Sequence, residues 1–211
     1  MNPLFHPVRL YGEHIAWPKR RNVIACAVAS LLDAERTLLD VGCGDGRLAE
    51  ALKKRSPGLS VQGTETLLWP VGRPAIPYTL FDGLRLPFAD GSFDACLLID
   101  VLHHSRAPES LLAEAARVAR CSVIVKDHDT RGPLDSLLMK WGDYLGNRMF
   151  GVDLPYDYRT WEAFEAMFED AGLTIDVCDD GLKPAGALEL HHHFLVKLLP
   201  KRTPAFPGSH R

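Results

Sequence analysis

Leu38-Leu39-Asp40-Val41-Gly42-Cys43-Gly44-Asp45-Gly46 is the stretch on which the reading of this chain turns. An apolar run closes on an acid, three glycines follow at alternate positions, and a helix-period segment begins. Glycine tolerates positive φ and, lacking a Cβ, lets a ligand lie against the backbone. A loop of this kind between a strand and a helix serves as a phosphate or cofactor cradle in many open α/β sheets, but taken alone it is also consistent with a purely structural turn. The spacing here is GxGxG. The dinucleotide fingerprint GxGxxG requires a glycine at position 47, where Arg47 stands.

Outward from the loop, short apolar runs alternate with helix-period segments, the pattern of a parallel sheet covered by helices. Strands are expected at 37–41, 59–63, 78–81, 93–99, 122–125, 173–178 and 193–198, and helices at 45–55 and 108–120. The run 93–99 is almost wholly apolar, as a strand buried on both faces requires. Thr160 is placed to cap a helix that ends at Gly172, with Phe164, Met167 and Phe168 inward. A further helix is expected after Gly132-Pro133, with Leu134, Leu137, Leu138, Trp141 and Leu145 on one face. The segment 146–159 is irregular, and a connection of that length is more often functional than idle.

The 211 residues fit one α/β domain (1–211), with an N-terminal helical segment (1–36), an α/β core (37–200) and a tail (201–211). Net charge is −3 and the isoelectric point is about 6.3, which gives no global attraction to nucleic acid or anionic membrane. The stretch from Lys197 to Arg211 reads as a surface or frayed end. Basic Lys19-Arg20-Arg21 precedes the apolar run 23–29, a faint likeness to an export signal, but the run is far too short to span a membrane. It reads instead as a packed helix capped by Asn22, with Val23, Ile24, Ala27, Val28, Leu31 and Leu32 on one face. The five cysteines, at 26, 43, 96, 121 and 178, are odd in number, lack CxxC spacing and sit by apolar stretches. Reduced, buried thiols in a cytoplasmic protein are therefore expected.

Three further acids accompany the loop. Glu65 follows the second strand, 19 residues beyond Gly46, where a carboxylate can accept from both ribose hydroxyls. Asp82 follows the third strand, where it can accept from an adenine amino group, and Asp100 ends the fourth. All occupy the carboxyl edge of the sheet, along which open α/β folds bind ligands.

LLDVGCGDG, Glu65 and DGLRLPFADGSFDACLLIDVLHH (82–104) together resemble the class I S-adenosylmethionine-dependent methyltransferases, of the small-molecule type with an LPF-D-SFD segment. The resemblance is strong over 37–125. It implies a seven-stranded Rossmann-like sheet of order 3-2-1-4-5-7-6 with the last strand antiparallel. It also implies S-adenosyl-L-methionine as cofactor, leaving S-adenosyl-L-homocysteine as product. By position, Asp40 and the loop of Gly42, Cys43, Gly44 and Gly46 hold the methionine end. Glu65 holds the ribose, Thr66 and Leu67 flank the adenosine, Asp82, Gly83 and Leu84 hold the adenine, and Asp100 and Val101 border the sulfonium. The proline-rich 68–77 departs from the regular helix of many relatives.

The implied reaction is an in-line displacement in which the protein supplies alignment and, for weakly acidic acceptors, a base. His103 and His104 follow the fourth strand and His128 the fifth, and any of the three can serve as that base. Asp127 and Asp129 are too few and too closely spaced to specify a divalent ion, and His191–His193 reads as a chance run at a strand edge, so no metal is expected. Tyr11, Asn147, Tyr156 and Tyr158 are candidates for the acceptor pocket. The chain lacks the catalytic loops of amino-directed DNA, cytosine-C5 and arginine methyltransferases, which leaves a small-molecule or lipid-intermediate acceptor. A silent cofactor-binding protein on the same fold is the alternative. A nicotinamide dehydrogenase is disfavoured by Arg47 and by Arg148, which stands where a Tyr-x-x-x-Lys pair with Tyr144 needs lysine.

Overall fold

The computed structural model describes residues 17–67, 75–132, 159–184 and 192–201. The chain runs α1 (Trp17–Leu31), β1 (Thr37–Val41), α2 (Arg47–Arg55), β2 (Ser60–Glu65), β3 (Tyr78–Leu80), β4 (Phe93–Ile99), a 3-10 turn (Leu102–His104), α3 (Pro108–Val118), β5 (Ala119–Asp129), α4 (Trp161–Asp170), β6 (Leu173–Asp179) and β7 (His192–Pro200). The strands form one seven-stranded sheet of order β3-β2-β1-β4-β5-β7-β6. β1 to β5 are parallel, and β7 runs antiparallel to both β5 and β6. Among the described residues no helix is long and apolar enough to cross a membrane.

Two cores flank the sheet, because the central strands are apolar on both faces. One packs Leu39, Val41, Cys96, Leu98, Val123 and Val125 against α3 and α4. The other packs Leu38, Ala95, Leu97 and Ile124 against Ile24, Ala25 and Val28 of α1 and Ala49 and Leu52 of α2. The α4 side is built as expected: the Thr160 side chain accepts from Ala163 N, and Phe164, Met167 and Phe168 are buried. Trp161 joins them, edge-on to Phe194 at 5.2 Å.

Side-chain clamps fix the strand ends. Arg117 donates to the carbonyls of Leu86 (3.1 Å) and Phe88 (2.8 Å) and pairs with Glu114 and Asp90. Asp94 accepts from the backbone N–H groups of Arg36 and Thr37, both at 2.9 Å, so β4 and the start of β1 are laced together. The LPF-D-SFD segment is thus a structural brace beneath the site.

Several boundaries and faces differ from the sequence expectation. α2 begins at Arg47, since Gly46 sits at φ +72 and Asp45 turns back to accept from Arg47 N. α3 stops at Val118, and β5 extends from Ala119 through Asp129, well beyond 122–125. Asn22 lies inside α1, not at its cap, and Val23 is exposed, the buried face being Ile24, Ala25 and Val28. Cys43 and Cys96 are buried free thiols, but Cys26, Cys121 and Cys178 are exposed. Lys197 is not part of a frayed end: it is buried in β7, donates to the Leu31 carbonyl (2.7 Å) and pairs with Glu35 (3.2 Å). The helix expected after Gly132-Pro133 and most of the irregular 146–159 lie outside the described residues.

Candidate functional site

The carboxyl edge of β1, β2, β3 and β4 brings the expected acids and glycines together. Gly42, Gly44 and Gly46 all have positive φ (71, 55 and 72), a conformation that side chains resist. A Cβ on Gly42 would stand 2.7 Å from Val101 Cγ2, and one on Gly46 would stand 3.0 Å from Ala75 N. The loop therefore has no room for side chains at Gly42 and Gly46, while its backbone is pinned by Gly42 N and Cys43 N donating to Thr64 O at 2.9 and 3.1 Å. The Cys43 side chain turns away from the edge into the core beside Gly63 and Ile76.

Asp40 is buried at the end of β1, and its Oδ2 has no hydrogen-bond partner among the described residues. Burial, reinforced by the nearby charge of Glu65, pushes its carboxyl up to about 7. A buried carboxylate oxygen without a donor is costly unless something cationic or N–H-bearing meets it. Glu65 Oε1 accepts from Gly44 N at 2.7 Å and Oε2 from Thr66 N at 3.1 Å. Each oxygen keeps a second lone pair. Burial still holds this carboxyl above its ordinary value, against the pull of those two donors.

Beyond Glu65 the ends of β2 and β3 come together. Thr66 and Leu67 follow β2, Gly83 and Leu84 follow β3, and a Cβ on Gly83 would stand 3.4 Å from Thr66 Cγ2. Leu67 and Leu84 are among the most exposed large apolar side chains described, at 57% and 54%. Asp82 Oδ1 accepts from Leu84 N and Arg85 N, both at 2.8 Å, which lowers its carboxyl and fixes the turn. An acid, a glycine loop, a second acid and two exposed leucines therefore follow one another along the edge.

At the other end of the edge, Asp100 is the one described non-glycine residue at positive φ (55). Such a conformation persists only where surrounding contacts impose it. They do: Lys126 Nζ is 2.5 Å from Oδ1, and Arg20 Nη2 of α1 is 2.6 Å from Oδ2. Burial opposes ionisation of Asp100, but these two cations overcome it and hold the carboxyl well below its ordinary value. Lys126 also contacts His193 Nδ1 at 2.9 Å.

On the opposite face of β5, Asp127 Oδ1 meets His103 Nδ1 at 2.6 Å and accepts from His128 N at 2.9 Å. The His103 ring lies 3.9 Å from that of His104 and 4.2 Å from that of His128. All three histidines singled out from the sequence thus converge. Burial, aided by the neighbouring His103, lowers His128 to about 4 against the attraction of Asp127, so it is neutral at pH 7.

His192 and His193 are not a chance run at a sheet edge. β7 lies between β5 and β6, His193 is buried on Lys126, and His192 pairs with Asp129. Asp100, His128 and His193 place ligand atoms within 4.8 Å of one another, as do His103, Asp127 and His128. In the first group the Lys126 ammonium already stands against two of the three ligands. In the second, the close His103–Asp127 contact is a hydrogen bond between two of the would-be ligands.

Sequence reasoning missed Arg20, Lys126 and His193. Lys126 carried a signal, being a lone lysine at the end of an apolar strand run, but Arg20 sat in what reads as a basic helix start. Tyr11, Asn147, Tyr156 and Tyr158 lie outside the described residues.

Residues 39–122 match the family described as "Methyltransferase domain". The chain is 39% identical over 124 residues to an uncharacterized methyltransferase of Mycobacterium sp. (strain JLS), covering 54% of this chain and 47% of the relative. It is 32% identical over 117 residues to a demethylmenaquinone methyltransferase of Thermus thermophilus, covering 51% of each. The chain thus spans about half the length of these curated relatives. A solved SAM-dependent methyltransferase from Aquifex aeolicus superposes with a TM-score of 0.60 at 19% identity, covering 92% of this chain and 98% of that one.

Proposed function

We propose that this chain, which carries a methyltransferase domain on the class I fold, transfers a methyl group from S-adenosyl-L-methionine to a small-molecule or lipid-intermediate acceptor. The observation that carries the reading is Asp40: a buried carboxylate oxygen with no partner among the described residues, facing a glycine loop with no room for a Cβ at Gly42 or Gly46. A cationic amino-acid end satisfies that oxygen and needs that backbone.

The residues present fit the cofactor. Asp40 and the backbone of Gly42, Cys43, Gly44 and Gly46 would hold the methionine end. Glu65 would accept from the ribose through its remaining lone pairs, Thr66, Leu67, Gly83 and Leu84 would enclose the base, and Asp82 would accept from it. Asp100 and Val101 would border the sulfonium, and His103, His104 and His128 would face the acceptor. Bound there, S-adenosylmethionine supplies an electrophilic methyl group on positive sulfur. The protein's part is alignment on a rigid sheet edge and a base for acceptors that must lose a proton. The net charge of −3 favours an acceptor other than nucleic acid. The name of the Thermus relative, a demethylmenaquinone methyltransferase, supports the lipid-intermediate class.

Calorimetric titration with S-adenosylhomocysteine tests this. Wild type binds, and Gly44→Val, which puts a branched side chain at a φ of +55 in the loop, does not. Equal affinity of the two proteins would refute the cofactor site. Transfer of labelled methyl from S-adenosylmethionine into an extract of the source cells is the expected activity.

A further inference from the structure

We propose that His103 and Asp127 form a proton-abstracting pair, His103 as the base and Asp127 as its positioning residue, and that the acceptor is therefore a phenolic or enolic hydroxyl. This rests on the methyl transfer proposed above and narrows its acceptor.

The geometry separates the three histidines. Only His103 has a ring nitrogen in close hydrogen-bond contact with Asp127, at 2.6 Å; His128 Nδ1 stands off at 3.4 Å from the same oxygen. Asp127 is fully buried and held on a rigid strand, and its Oδ1 is fixed further by the N–H of His128. A carboxylate so placed accepts a hydrogen bond from the Nδ1–H of His103, which favours the tautomer whose lone pair sits on Nε2. The same carboxylate stabilises the imidazolium once it forms. Burial pushes Asp127 up, but its contact with His103 outweighs this and holds it at about 2, so it stays ionised. His128, at about 4, is too weak a base at neutral pH.

Position ties the pair to the methyl donor. The turn that carries His103 begins at Leu102, directly after Val101, the residue packed against Gly42 of the cofactor loop. Val101 also follows Asp100 at the end of β4.

A base is idle when the acceptor is a carboxylate or a free amine, which already presents a lone pair. It is needed where a hydroxyl with a pKa of about 10 must act at neutral pH. As the hydroxyl oxygen bonds to the methyl carbon, the carbon–sulfur bond breaks with its electron pair on sulfur. The O–H bond breaks with its proton passing to Nε2. The positive charge that leaves sulfur reappears on the imidazolium beside Asp127, so charge and protons balance. The orphan Oδ2 of Asp127, buried and without a hydrogen-bond partner among the described residues, keeps that carboxylate's charge concentrated next to the imidazole.

The test reads the ring and the product separately. Long-range proton–nitrogen correlation spectra of 15N-histidine-labelled protein, with S-adenosylhomocysteine bound, report the tautomer of His103. The Nδ1–H form is expected in wild type and is lost in Asp127→Ala; an Nε2–H form in wild type overturns the pair. In parallel, 13C-methyl S-adenosylmethionine is incubated with an extract of the source cells, and the methyl carbon shift of the product is read. An oxygen-bound methyl that survives alkaline hydrolysis is the expected ether; a methyl on nitrogen, sulfur or carbon, or a base-labile ester, overturns the acceptor class. Asp127→Asn is expected to slow this transfer by roughly 100-fold or more with KM for S-adenosylmethionine little changed. Equal rates would reduce Asp127 to a structural role and overturn the proposal. If S-adenosylhomocysteine fails to bind wild type by calorimetry, the cofactor reading fails instead, and the tautomer of His103 still decides the pair.

Discussion

Lys126 of β5 and Asp100, the residue after β4, form an ion pair with Nζ 2.5 Å from Oδ1, the lysine side chain fully enclosed and the aspartate partly so. Because Arg20 holds the other carboxylate oxygen, Asp100 joins α1 to the middle of the sheet. Lys126→Met should leave Asp100 with one cation and His193 without its ammonium neighbour. A loss of about 3 kcal/mol is expected in urea unfolding, typical of a broken buried pair. Arg20→Ala, at a partly exposed pair, should cost about 1 kcal/mol or less.

Cofactor binding should release a proton. In the free protein Asp40 stays protonated up to about pH 7, because burial and Glu65 oppose its ionisation. A cation bound against it favours the carboxylate, so affinity for S-adenosylhomocysteine should rise as pH increases towards 7 and then level off. Calorimetry in buffers of different ionisation enthalpy would show the released proton as a buffer-dependent heat; a buffer-independent heat at pH 6 would contradict it.

The same residue makes a stability prediction of opposite direction. Between the unfolded value of 3.8 and the folded value near 7, the folded protein holds more protons than the unfolded one. Stability from this group therefore falls as pH rises through that window. Asp40→Asn should remove this slope and make the ligand-free protein more stable than wild type at pH 8, by up to about 4 kcal/mol. The check is the urea midpoint of both proteins at pH 5 and pH 8.

Glu65→Ala removes the acceptor for Gly44 N and Thr66 N as well as the proposed ribose contact. Loss of a charge-assisted contact of this kind costs about 1.5–3 kcal/mol. Affinity for S-adenosylhomocysteine should fall by roughly 10- to 100-fold. Wild-type affinity in this variant would show that the end of β2 does not face the ligand.

Gly63 and Cys43 share one space: a Cβ on Gly63 would overlap Cys43 Sγ and stand 2.9 Å from Cys43 Cβ. Gly63→Ala should destabilise by about 1–3 kcal/mol through overpacking. Adding Cys43→Ala should recover part of that loss, a coupling that a double-mutant cycle of thermal or urea unfolding would measure.

Much of this was legible before any coordinates. The acids at 40, 65, 82 and 100 end strands, and a parallel sheet brings strand ends to one edge, so their meeting follows from topology once the strands are placed. Thr160 and the Phe164, Met167, Phe168 face were equally readable, since capping and helical periodicity are local. The run at 119–129 was not. Lys126, Asp127, His128 and Asp129 read as following a strand that ends at 125, and only the pairing of β5 with β7 explains why the strand continues through them and buries them. That pairing spans more than 60 residues, and cross-sheet partners such as His193 leave no trace in local pattern. The Asn22 cap failed for a related reason: a good capping residue is silent when the helix continues through it.

The inward turn of Cys43 has a chemical consequence. A sulfonium methyl donor is an alkylating agent, and a thiol in the loop proposed to hold it is a nucleophile within reach of self-inflicted damage. Only the thiolate attacks efficiently. Burial, with the charges of Asp40 and Glu65 adding to it, keeps Cys43 firmly protonated, and its sulfur is packed into the core against Gly63. The fold would thereby shield the protein from the proposed methyl donor, and the absence of a side chain at Gly63 provides the room in which that sulfur is put out of harm's way.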